Sequence, residues 1–505
     1  MADSRRLAKN TLYMYLRMML LMLVSLYTSR VVLHKMGVDD YGLYNAVASV
    51  VAMVAFLNST LHTSTSRFLT YDLGIGDKQR LRNTFSTAFF THLMLVGIII
   101  LSMETVGLWY LAHKFVVPEG RESAVRVVFQ ISILSTAISV CQVPFTALII
   151  AHERMSIYAF VSIFQGLGTL GVAFLLSVSN IDKMILYAIL LALVAVLTFS
   201  LYLIICSKLF PESHLQFFFD SKQFKRMLGF TGWTAVGETS NVLMGQGTVL
   251  LLNLYFPSAV ISAKAVSNQV SSAIAQFATN FRVAMNPQII KSYAVGNYTE
   301  SRRLMLKSAT ISFDLLLIIG MPFIFTMDFL LDLWLVEVPP YAVVFSQYAV
   351  ATQILNVISS SMYISFVAAG QLKLNAIWGL IESIFIFVAL YFAFKWGGSV
   401  MWLQYLTVIS VLIVLFLLRP ILLHKEIDYS FREIVNCYWE CLKPAALAVP
   451  ISILASCFFK QSLLEQIGLF LCVFVSSLFS VLVFMDKGMK RLLFDVIKKK
   501  FYKKT

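Results

Sequence analysis

Long apolar stretches alternate along the chain with short polar segments, many of them basic. A bilayer's hydrocarbon core is about 30 Å thick and needs about 20 residues of helix to cross it. Fourteen stretches meet that length, at roughly 10–33, 41–64, 84–107, 127–150, 158–178, 184–206, 230–254, 261–285, 308–331, 342–368, 375–394, 400–422, 443–459 and 466–485. The pattern predicts an all-α integral membrane protein of about 14 transmembrane helices. The first stretch follows Arg5, Arg6 and Lys9, as a signal peptide would. It is longer than an h-region, contains Arg17 and precedes no small-residue cleavage site, so a retained helix is expected. The segments between spans reach only about 25 residues, too short to fold alone. Function is therefore expected inside the membrane.

Composition sharpens this picture. Of 505 residues, 59% are apolar and 13% charged, and the mean hydropathy is +0.80. Soluble domains carry about 25% charged residues. With the N-terminus in the cytoplasm, about 29 of the 40 Lys and Arg fall on the cytoplasmic side and about 8 on the other, which sets the orientation with both termini cytoplasmic. The net charge of +14 then needs no nucleic-acid partner, because basic loops and the cluster from Lys487 to Lys504 face an anionic inner leaflet. The tail from Lys490 to Ile497 has the spacing of a surface-lying amphipathic helix. Six cysteines show no disulfide or zinc spacing, so no metal is expected.

An internal echo suggests duplication. Tyr71-Asp72-Leu73-Gly74 through Arg80 aligns with Tyr293-Ala294-Val295-Gly296 through Arg302 at an offset of 222, and Ala151 to Met155 aligns more weakly with Gly370 to Leu374 at 219. The expected organisation is two six-helix lobes related by a pseudo-twofold axis along the membrane normal, residues 1–207 and 208–424, followed by spans thirteen and fourteen with a basic tail, 425–505. Such a bundle would place a cleft near the midplane.

Catalytic motifs fail their context. Gly166-Leu167-Gly168-Thr169-Leu170-Gly171 has dinucleotide-loop spacing but lies in an apolar helical stretch with no preceding strand, so close helix packing is the better explanation. Walker A, HExxH and GxSxG sequences are absent, and no enzyme is expected. Ionisable residues inside spans are more informative, since each costs at least about 2.5–3.5 kcal/mol at a helix centre. Arg17, Arg282 and Arg67 fall in the inner half of spans one, eight and two. Guanidinium forks suit phosphate oxygens, so these three are candidates for binding a phosphorylated substrate, with snorkelling to the interface as the alternative. Arg30 and Lys264 lie nearer the outer side and could receive the same anion later or stay interfacial. Glu238, Asp314 and Glu382, in spans seven, nine and eleven, are candidates for pairing with the arginines or for coupling to H⁺ or Na⁺. Asn241, Gln246, Asn253, Asn268, Gln269, Gln276 and Asn280 add polar groups to spans seven and eight, for helix pairing or for sugar hydroxyls.

The opening Asn10-Thr11-Leu12-Tyr13-Met14-Tyr15-Leu16-Arg17, the pair Ser29-Arg30 and above all Met36-Gly37-Val38-Asp39-Asp40-Tyr41-Gly42-Leu43-Tyr44 resemble the polysaccharide transporters of the MOP superfamily, the Wzx-type lipid-linked oligosaccharide flippases. The resemblance implies a carrier of the bacterial inner membrane that moves undecaprenyl-pyrophosphate-linked oligosaccharide, an O-antigen or capsule unit, to the periplasmic leaflet by alternating access. Arg17 and Arg282 are similar in position to cavity arginines of related lipid flippases. No cofactor is implied beyond a coupling H⁺ or Na⁺. Expected partners are the lipid-linked substrate, the bilayer, a polysaccharide polymerase and glycosyltransferases, with a monomer favoured. The competing reading is a multidrug and toxin extrusion (MATE) type exporter of organic cations driven by Na⁺ or H⁺.

Overall fold

The structure, a computed structural model, describes residues 2–485 apart from 56, 153, 178–180, 215, 217, 219, 460 and 461. Inside helices, the side chains of residues 2–17, 54–55, 57–60, 63, 74, 223, 226, 228–231, 233–234, 280, 283–284 and 287 are likewise outside the described set. The tail expected to form an amphipathic helix lies outside it too. The described residues are helical and contain no strand.

The first helices are α1 (Ala2–Met36), α2 (Val38–Ala55), α3 (Leu57–Ile75), α4 (Lys78–Ser102), α5 (Leu108–His113), α6 (Glu122–Ala151), α7 (Met155–Leu175) and α8 (Lys183–Leu209). They are followed by α9 (Ser221–Val242), α10 (Thr248–Tyr255), α11 (Ser258–Ala294), α12 (Tyr298–Phe325), α13 (Met327–Trp334) and α14 (Ala342–Ala369). The last are α15 (Lys373–Lys395), α16 (Trp402–Ile413), α17 (Arg419–Ile427), α18 (Phe431–Phe458) and α19 (Leu463–Phe484). Among the described residues, 11 spans are long and apolar enough to cross a membrane. The other three expected stretches fall on α2–α3, on α9–α10 and on α11, where Asn, Gln, Ser, Lys264 and Arg282 dilute the apolar content.

The chain divides into two compact units. The first comprises Met1–Ala265, Leu335–Pro340 and Gly379–Val400, and the second Val266–Trp334, Tyr341–Trp378 and Met401–Thr505. In the first, α6 packs against α2, α3, α4 and α8. Phe85, Phe145, Leu148, Ile149 and Tyr202 form a buried cluster there. The glycines of the dinucleotide-like string serve packing. A Cβ on Gly166 would fall 2.4 Å from Leu21 Cδ2 of α1, and one on Gly168 would fall 3.2 Å from Val194 of α8. In the second unit α12 packs against α14, α18 and α19, so the two helices outside the expected repeat cover the first helix after α11.

The two echoed segments share a turn of the same form, in a different register from the one expected. Gly76 and Gly296 both have positive φ, at 81° and 78°, and the next residue of each caps a helix. Asp77 accepts from the Gln79 and Arg80 amides to start α4, and Asn297 accepts from the Glu300 amide to start α12. Equivalent residues are therefore 220 apart, not 222, which makes Arg82 and not Arg80 the counterpart of Arg302. Both arginines do the same work: Arg82 Nε donates to the His214 carbonyl at 3.0 Å and Arg302 Nη2 to that of Ile427 at 3.3 Å. Each thereby holds the segment at the end of the sixth expected span of its own repeat.

Candidate functional site

Two guanidinium groups hydrogen-bond to adjacent residues of α14 in the second unit. Arg282, from α11, donates through Nη1 to Ser360 Oγ at 2.5 Å and through Nη2 to Thr279 Oγ1 at 3.1 Å. Arg419, at the head of α17, donates through Nε to Ser359 Oγ at 2.9 Å and through Nη1 to Asn375 Oδ1. Its guanidinium carbon also lies 5.6 Å from the ring centres of both Tyr363 and Phe366, a cation–π setting. Ser359 and Ser360 are adjacent, so the two cations reach α14 at the same height, on faces about 100° apart. That height lies about ten residues, roughly 15 Å of helix, from the end at Gly370.

Guanidinium forks held by neutral partners have the chemistry to meet an anion. Partners of both guanidiniums are hydroxyls and an amide, and among the described residues no carboxylate forms an ion pair with either. Arg282 Nε is buried and has no acceptor among the described residues. A charged donor left unpaired in a low-dielectric setting costs more than the typical 1–3 kcal/mol of a neutral one, and a phosphate oxygen would satisfy it. Sequence reasoning singled out Arg282 as an ionisable residue within span eight but counted Arg419 among loop cations. The signal was present: Arg419 follows the apolar run to Leu418, Pro420 suits a helix's first turn, and the helix continues eight residues to Ile427.

The remaining candidates are dispersed. Arg17 lies on α1, and its side chain is outside the described residues. Arg67 is exposed on α3, and Arg30 is half-buried in the last two turns of α1. Lys264 is half-buried on α11, two residues past Ser262. Glu238 is exposed and accepts from Asn241 Nδ2 at 3.3 Å, while Glu382 is half-buried on α15. Asp314 is 8% exposed, and its Oδ1 has no partner. It continues the α12 stripe of Leu306 and Thr310, which meets Cys437 and Cys441 of α18 at sulfur distances of 3.7–3.9 Å. Asp314 thus faces α18, and the hydrogen bonds of Arg282 go elsewhere. Among the polar residues, Asn253 is fully used: its amide accepts from the Val116 N–H at 3.0 Å and donates to the Val116 carbonyl at 3.1 Å.

The Gly37–Tyr44 motif has a structural role at the start of α11. A Cβ on Gly42 would fall 1.9 Å from the Ser258 carbonyl oxygen, so only glycine lets α2 approach this closely. Ser262 Oγ donates to the Val38 carbonyl and Ser258 Oγ to Asp39 Oδ1 at 2.9 Å. Beside it, Arg121 joins Asp40 at 2.5 Å and also Asp182, the residue that caps α8. Burial pulls the Asp182 carboxyl upward, but the amides of Ile185 and Met184 together with Arg121 hold it below its usual range. Burial pushes Asp40 up despite Arg121.

No protein-family model and no curated protein matches the chain. Solved structures do. The lipid II flippase MurJ in an inward closed conformation superposes with a TM-score of 0.68 over 94% of this chain and 100% of its own, at 12% identity. An inward-facing multidrug resistance MATE family transporter of the MOP superfamily gives 0.60 over 79% and 94%, at 13% identity. The MATE multidrug transporter DinF-BH, in complex with R6G, gives 0.60 over 84% and 96%, at 14% identity. These likenesses concern the fold: over most of its length the chain has the fold seen in the flippase MurJ and in these MATE transporters.

Proposed function

We propose that the chain is a flippase for a lipid-linked, pyrophosphate-bearing saccharide, moved from the inner to the outer leaflet by alternating access. The observation that carries this reading is the pair Arg282 and Arg419, held by Ser360, Thr279, Ser359 and Asn375 without a carboxylate counter-charge, and with Arg282 Nε still wanting an acceptor. A pyrophosphate exposed to hydrocarbon would pay tens of kcal/mol in lost solvation. Fixed guanidiniums replace water as its partners, and the serines and the Tyr363 ring keep them aimed when the site is empty. The prenyl chain stays in lipid, and Arg17 and Arg67 belong to the same proposed path. The glycan class, an O-antigen or capsule unit, is the one the resemblance implies. A bacterial inner membrane, partner glycosyltransferases and a polymerase belong to the same proposal, as does coupling to H⁺ or Na⁺ through Glu238, Asp314 or Glu382.

The MATE-like structures support a second reading, export of organic cations. A site with two unneutralised arginines disfavours it, because a cationic ligand would be repelled where an anion is drawn in. The test is surface glycan in cells whose chromosomal copy is replaced by Arg282→Ala, Arg419→Ala or Arg419→Lys. Both alanine variants should reach the membrane and lose surface glycan at least tenfold. The lysine variant should recover part of it, since charge survives but the fork does not. Normal glycan output in both alanine variants would refute the assignment.

A further inference from the structure

A second site lies in the first unit, on helices that the anion site does not use. His92 on α4 is fully buried, at 0% exposure, and its Nδ1 lies 2.8 Å from the Ala88 carbonyl oxygen one turn earlier. A carbonyl only accepts, so Nδ1 carries the hydrogen and the neutral ring is in the Nδ1–H form. Nε2 is then a bare lone pair, and it is buried with no donor among the described residues. His62, half-buried on α3, is near enough to act electrostatically on the His92 ring.

Depth makes this more than a packing detail. His92 is 14 residues from the start of α4 and His62 is 13 from the end of α3, the two ends that meet at the Gly76 turn. Both rings therefore sit about 20 Å of helix from that turn, near the middle of the membrane. Among the described residues, the helices packed against α3 and α4 bring no other charge to this level; on α2, Asp39 and Asp40 lie in the first turn and Tyr41 and Tyr44 just after it. On α6 the charged residues are Glu122 and Arg126, in its first two turns at the far end, and Cys141 is the remaining titratable group. On α3, Arg67 and Asp72 lie toward the Gly76 turn, and Asp72 is engaged by Arg80 at 2.7 Å and Thr84 at 2.5 Å. On α9, Lys222, Lys225 and Arg226 lie in the first two turns, and Glu238 is exposed beside Asn241. Glu104 and Glu212 lie beyond the two ends of α4's packing.

We infer that His92, with His62 beside it, forms a proton-binding site at the membrane midplane. Neutral imidazole takes one H⁺ on Nε2 to become imidazolium and gives the same H⁺ back to water, so no other reactant is needed. His62, less buried, is the ring through which the proton arrives and leaves. Like charges keep the two rings from holding protons together, so the pair carries one H⁺ per cycle. The inference rests on the transport reading only in tying this proton to movement of substrate, and the deciding measurement needs no substrate.

That measurement is ring ¹⁵N NMR of the full-length, ¹⁵N-histidine-labelled protein in lipid nanodiscs between pH 3 and 8. His92 is identified by loss of its signal in His92→Gln. If that variant fails to fold, it is identified by being the ring shielded from a water-soluble paramagnetic agent. The expected result is the Nδ1–H tautomer at high pH, its conversion to imidazolium within the range, and a changed curve in His62→Gln. An Nε2–H tautomer, a ring neutral throughout, or a curve indifferent to His62→Gln would overturn the proposal. In proteoliposomes, substrate movement driven by a pH gradient should fall at least tenfold in folded His92→Gln. Unchanged gradient dependence there would overturn the coupling role even if the ring titrates, and leave the anion site standing.

Discussion

Single residues decide where helices can touch and where charge can stand. Gly42 is the sharpest case, since its missing Cβ is replaced by the Ser258 carbonyl. Gly42→Ala forces α2 away from α11 and should cost about 1–3 kcal/mol, read as a lower thermal midpoint in detergent, while Ala at the open Gly97 should leave the midpoint unchanged. The motif around Gly42 was legible in the sequence as a family word. Its reason was not, because the Ser258 backbone that demands glycine lies more than 200 residues away. Arg282 was legible because it interrupts a span. Arg419 was hidden because a helix end and a loop start look alike when Lys and Arg are simply tallied by side. His92 escaped for a different reason: one histidine in an apolar stretch carries no spacing signal, and only the carbonyl at Ala88 fixes which nitrogen is left bare.

At the scale of elements, polar residues at helix ends do the fastening. Ser430 with Glu433 and Ser462 with Glu465 form reciprocal caps that start α18 and α19, a pattern any reader of the sequence can find. The Arg121 clamp on Asp40 and Asp182 cannot be found that way, since it gathers three separate turns. Arg121→Ala leaves two carboxylates facing each other and should cost about 2 kcal/mol near neutral pH. The signs of the two shifts set the pH dependence. The contribution of Asp182, whose carboxyl is held low, is present at neutral pH and is lost as pH falls through that depressed value; the raised Asp40 works the opposite way. In the variant both acids gain from protonation, so the stability gap to the wild type should narrow on going from pH 7 to pH 4, as measured by thermal midpoints. A constant gap would mean that the clamp contributes no electrostatic stability. The two similar turns show how far local reading goes: the sequence echo pairs them at 222, whereas the positive φ at Gly76 and Gly296 pairs them at 220.

For the whole molecule, hydropathy and charge bias were enough to announce a multi-span helical membrane protein, because a membrane imposes helix length and leaves it written in the chain. Among the described residues, the expected spans on α9–α10 and α11 are too polar for that signal alone. One of them supplies Arg282. On the proposed function, the same polarity that blurs a span in the sequence would equip it to meet a charged substrate.

The most direct measurement is calorimetric titration of the purified protein in nanodiscs with a short prenyl pyrophosphate, with rhodamine 6G as the cationic comparison. The account predicts that the pyrophosphate binds, that inorganic pyrophosphate competes with it, and that Arg282→Ala and Arg419→Ala each weaken binding at least tenfold, about 1.4 kcal/mol, while the cationic dye binds poorly. Binding of the prenyl pyrophosphate that is indifferent to both substitutions, or a preference for the dye, would contradict it.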